Sequence, residues 1–134
     1  MNFSFRSLAV FTAALCFALA GMWLFAPSML LEWWAVQYSY PVGLAGRRAA
    51  ALFLGIGVMF YLARNAQPSQ SRTALSVGLV TGCLSLAVLG VFEFTTGHAG
   101  LGIWSAVVVE LGLAAAFIPS IWAAAGLVDT ALSF

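Results

Sequence analysis

Lysine is absent from this 134-residue chain, and charge of either sign is scarce: five arginines, four acids and one histidine. Charged residues make up 7% of the sequence and hydrophobic ones 63%, whereas a soluble domain carries roughly 25% charged residues. Such a surface cannot be hydrated, so the solvent for most of it is lipid. In lipid every backbone N–H and C=O must be satisfied within the protein, which leaves helices or closed barrels. Barrel strands alternate apolar and polar residues; the runs here are apolar all round. The predicted fold class is all-α, a polytopic membrane protein built as a bundle of four transmembrane helices.

Other scarcities narrow the function. A net charge of +1 is too small to attract nucleic acid. The single histidine, His98, cannot supply bis-histidine haem ligation, and no clustered Cys/His spacing suggests zinc. Cys16 and Cys83 fall inside apolar runs at similar expected depth. A redox pair or metal site is conceivable there, but small buried residues are the simpler reading. No phosphate-cradling loop, nucleophile elbow or dinucleotide fingerprint occurs, and the glycine-rich Thr96–Gly102 has neither a preceding strand nor a lysine. Neither a cofactor, a metal nor a catalytic residue is expected.

What is present is apolar length. The longest run, Gly100–Gly126, holds one carboxylate, Glu110, near its middle, and an ionisable residue inside a span is a functional-site hypothesis by default. Spans of about 20 residues are expected at 8–26, 44–63, 73–94 and 101–125, in one membrane domain. The first resembles a signal peptide around Ala18–Ala20, yet its apolar run continues through Phe25, so it reads as a retained span. Between the first two spans, Trp33, Trp34, Tyr38 and Tyr40 crowd around Glu32. Tryptophan and tyrosine favour the membrane–water interface, so this segment reads as an interfacial aromatic belt, or alternatively as a lid over the bundle. Residues 65–72 have soluble-loop composition.

Arg6, Arg64 and Arg72 fall on one side of this threading, and Arg47, Arg48 and His98 on the other. The positive-inside rule makes the first side cytoplasmic, with both termini inside. The outer half then collects Arg47, Arg48, Glu93 and Glu110, with Glu32 and His98 as accessory candidates. All the cations are arginine, which keeps its charge when desolvated and forks onto carboxylates. Glu110 lies about 15 Å down its helix at 1.5 Å per residue, within reach of a long arginine side chain. Two readings stand for the cluster. It is a buried ion pair, Arg47 or Arg48 with Glu110, that fixes helix register, or it is a polar pocket for a ligand head group or protons. Ala74, Gly78 and Gly82 form a small-residue ridge, expected to pack within the chain or else between protomers.

The first span ending at Pro27, the aromatic connection, GRRAAALFLGIG opening the second span, the basic-polar loop and the mid-helix glutamate of VVVELGLAAA together resemble small four-helix inner-membrane proteins of the broad DoxX-like kind. The resemblance implies a four-helix bundle, with Arg47 or Arg48 and Glu110 as its charged positions, and implies no established reaction. The function expected is a non-enzymatic protein of the bacterial inner membrane. It would bind lipid or a small amphiphile through an outward-facing charged cluster, or dock as an accessory subunit on a larger complex. A proton-coupled transporter or membrane enzyme acting as a homo-oligomer is the alternative.

Overall fold

A computed structural model describes the backbone of residues 4–132 and the side chains of residues 4–123. Within them the chain forms five helices: α1 (Phe5–Phe25), α2 (Pro27–Trp33), α3 (Tyr40–Ala63), α4 (Gln70–Thr95) and α5 (Ile103–Leu132). All but α2 are long and apolar enough to cross a membrane. An all-helical chain with four candidate spans is the architecture that the composition predicts.

The helix limits follow local chemistry. Ser4 caps α1 by accepting from the Ser7 amide, and Ser69 caps α4 by accepting from the Arg72 amide, each satisfying a donor that the first turn leaves orphaned. Pro27 cannot donate to α1 and instead opens α2, and Pro41 sits in the first turn of α3, positions where the missing N–H costs nothing. That is why α3 begins four residues before the expected 44. Pro119 lies inside α5, where it removes one ladder bond, a loss membrane helices tolerate. The helix continues through Asp129 to Leu132, past the end of the expected span at 125.

α1 packs antiparallel along α3, and α4 antiparallel along α5, while a smaller contact between α1 and α5 joins the two pairs. Each pair is sewn by small residues. On α1, Ala9, Ala13, Cys16 and Ala20 are buried, and on α3 Gly46, Ala50 and Gly57 are. A Cβ at Gly57 would stand 2.7 Å from the Phe17 ring, and one at Gly46 would enter the Trp23 indole. Between α4 and α5, a Cβ at Gly90 would stand 2.7 Å from Val107, and Ser120 Oγ donates to Ser76 Oγ at 3.3 Å. The core gathers at the end that carries the N-terminus: Phe5, Leu8, Ala9, Ala13, Phe60, Cys83, Leu113, Ala114 and Phe117. Leu52, Leu62 and Val88 are about 70% exposed, as side chains facing lipid would be.

The opposite end is closed by a strap made of α2 and residues 34–39. The Trp34 carbonyl accepts from the Gly100 amide at 2.7 Å, and Trp33 Nε1 donates to Ser105 Oγ at 3.3 Å. Trp34 also packs on Trp23, with centroids 5.8 Å apart. The strap therefore links the α1–α3 pair to the α4–α5 turn, as a lid would. The ring of Trp33 and those of Tyr38 and Tyr40 are exposed.

Candidate functional site

The four helices do not bring the expected charges together. Arg48 is exposed and Arg47 half-buried, and neither forms an ion pair with Glu110. The contact between a basic and an acidic side chain seen among the described residues is the hydrogen bond of His98 Nδ1 with Glu93 Oε2 at 3.0 Å, with Thr96 Oγ1 also 3.0 Å from Nδ1. This is a local clasp at the exit of α4. Glu32 is exposed on α2.

The reason lies in helix order. α3 packs against α1, and α1 against α5; α3 reaches α5 at the far end, where Phe60 meets Phe117. Glu110 instead sits half-buried at the edge of the buried stripe Val107, Leu113, Ala114 and Phe117. Its Oε2 is buried and has no hydrogen-bond partner, as is Thr12 Oγ1 on α1. No group of three metal-ligating side chains occurs among the described residues.

The ridge is also placed differently from its first expectation. Ala74, Gly78 and Gly82 are exposed, and nothing lies within 4 Å of a Cβ built at Gly78 or Gly82. The intrachain packing expected of it is made by other small residues: Ser76, Cys83, Ala87 and Gly90 form the buried side of α4.

A site that the sequence reading missed lies at the N-terminal end. Arg6, Arg64 and Arg72, entered above as topology markers, converge on one open cleft of about 380 Å³, lined also by Phe5, Asn65, Ala66 and Gln67. No described carboxylate lines it. Arg72 lays its guanidinium over the Phe5 ring at 3.9 Å and donates Nη1 to the Ala66 carbonyl at 3.4 Å. Its Nε is buried with no partner. Arg64 lies 4.1 Å above the Tyr61 ring and donates Nη1 to the Tyr61 carbonyl at 2.6 Å. Two arginines are thus held by an aromatic face and a carbonyl each, and Arg6 stands exposed beside them. One sequence signal could have found the cleft: no Asp or Glu occurs between Glu32 and Glu93, so Arg64 and Arg72 have no acidic neighbour in the chain.

Three arginines thus line one open cleft, and guanidinium groups are suited to pairing with anions. No family model matches the chain, and no curated protein and no solved structure match it.

Proposed function

We propose that this chain is a small non-enzymatic protein of the bacterial inner membrane, DoxX-like in build, that binds an anionic amphiphile. The observation that carries this reading is the convergence of Arg6, Arg64 and Arg72 on one cleft with no described carboxylate. The cleft lies where α1 and α4 begin and α3 ends, the level at which an embedded amphiphile presents its head group. An apolar tail would rest against the exposed aliphatic surface of the spans, and the head group would meet the arginines. The positive-inside rule puts this end, with both termini, in the cytoplasm.

Native mass spectrometry from nanodiscs of mixed zwitterionic and anionic lipid tests the reading, with an anionic lipid expected to be retained on the released chain. A bare chain, or one carrying zwitterionic lipid alone, would overturn it. A reporter active only in the periplasm, fused after Phe134, should stay silent; a strong signal would reverse the orientation.

A second reading, lateral association with a copy or a larger complex, rests on the exposed Gly78 and Gly82 face. The same spectra report it as oligomer.

A further inference from the structure

Resting on the amphiphile reading, we propose that the group recognised in the arginine cleft is a phosphate monoester, gripped by Arg64 and Arg72 with Arg6 on the open side. The first ground is charge. Three guanidinium groups line the cleft, and a single carboxylate would neutralise one of them. A phosphate monoester carries about −1.5 to −2 at neutral pH and offers three acceptor oxygens, a closer match in both charge and acceptor number.

The second ground is donor availability. An arginine has five N–H donors in a fixed fork. Arg64 and Arg72 each commit one to a backbone carbonyl, and stacking on Tyr61 and Phe5 holds each plane in place. The Nε of Arg72 is buried, so the donors left for an anion are the other uncommitted N–H groups of the two guanidinium groups. Fork geometry suits the tetrahedral oxygens of phosphate, where an ammonium would act as a point charge; the chain contains no lysine at all.

The third ground is the helix that carries Arg72. α4 is 26 residues long and begins at Gln70 beside the cleft lining residues Ala66 and Gln67. Its N-terminal partial positive charge adds to that of the arginines. The cleft volume is at the small end of ligand sites, enough for a head group and too open to enclose a whole lipid.

Phosphate at this level has two sources, a lipid head group or an ion from water. Nanodiscs of phosphatidylcholine doped with phosphatidate or with oleate separate phosphate from carboxylate, and inorganic phosphate added to undoped discs tests the aqueous source. The expected result is retention of phosphatidate and not of oleate. Arg64→Ala and Arg72→Ala should each weaken retention about fivefold, the equivalent of one basic residue at a membrane surface. Arg72→Lys, which keeps the charge and loses the fork, should fail to restore it in a chain with unchanged thermal stability. Asp129, whose side chain lies outside the described residues, is tested as Asp129→Asn, which should leave retention equal or higher; a fall would overturn the assignment.

Equal retention of oleate would sink the phosphate assignment and leave the amphiphile reading standing. Binding of inorganic phosphate without any lipid would keep the phosphate site and overturn the amphiphile reading. Retention indifferent to both alanine substitutions would overturn the cleft as the site.

Discussion

Phe60 and Phe117 meet edge to face, with ring centroids 5.5 Å apart and planes at 76°, and Phe5 closes on the same ring of Phe117 at 6.2 Å. One aromatic side chain from α5 thus joins α1 and α3 at the end where the two helix pairs converge. Phe117 is fully buried. In lipid, exposed tails replace lost contacts more readily than water does, so truncation costs less than in a soluble core. Phe117→Ala should lower stability by about 2 kcal/mol, below the usual range for a buried phenylalanine. Phe25→Ala, at a residue 87% exposed, should change nothing. Thermal unfolding in detergent compares them, and equal losses would contradict the three-ring junction.

Two helix exits use the same hydrogen-bond pattern with different residues at the left-handed position. At the end of α2, the Val36 amide donates to the Leu31 carbonyl and the Ala35 amide to the Glu32 carbonyl, with Ala35 at φ 56°. At the end of α4, the His98 amide donates to the Glu93 carbonyl and the Gly97 amide to the Phe94 carbonyl, with Gly97 at φ 78°. Glycine suits that conformation and alanine strains it. Ala35→Gly should therefore stabilise, and Gly97→Ala destabilise, each by about 1 kcal/mol. Opposite shifts in Tm are the expected signature; a loss at Ala35→Gly would show that its methyl contact at Gly100 outweighs the strain.

These comparisons show what the residues disclose and what they hide. Long apolar runs, Ser4 and Ser69 as caps, and Pro27 and Pro41 as opening residues define the helices directly, because each acts through local backbone chemistry. Helix order is another matter. Ala9, Ala13, Cys16 and Ala20 have nearly the same spacing as Ala74, Gly78 and Gly82, yet the first set is a buried seam and the second is exposed. In a helix apolar all round, periodicity does not mark the face that meets protein. Without helix order, Arg48 and Glu110 could be placed at one depth but not on facing helices. Arg6, Arg64 and Arg72 were legible as an end of the bundle, and their convergence required the fold.

The glycines separate by position in that fold. Gly57→Val and Gly90→Val place bulk against Phe17 and Val107 and should destabilise the monomer by about 1–3 kcal/mol, as overpacking does. Gly78→Leu and Gly82→Leu meet nothing within 4 Å and should leave monomer stability unchanged. If they weaken self-association or co-purification of a partner, the ridge is an external interface; if neither changes, it faces lipid. Loss of monomer stability at Gly78→Leu would mean that α4 is turned the other way.

Glu110 and Arg48 provide the sharpest test of helix order. A charge at mid-bilayer costs ~2.5–3.5 kcal/mol on insertion scales, and a paired charge is lost more painfully singly than together with its partner. The structure leaves Glu110 Oε2 without a partner and Arg48 exposed, so the two do not share an interaction. In a double-mutant cycle on thermal unfolding, Arg48→Ala and Glu110→Ala should then add within about 0.5 kcal/mol, and the same should hold for Arg47→Ala. Glu110→Gln keeps the shape of the side chain and removes an ionisable group whose buried Oε2 has no partner, so it should cause no loss of stability. A coupling above about 1 kcal/mol in either arginine cycle would place α3 beside α5 at that depth and reverse the helix order. Additivity together with no loss at Glu110→Gln would free this carboxyl from any architectural duty.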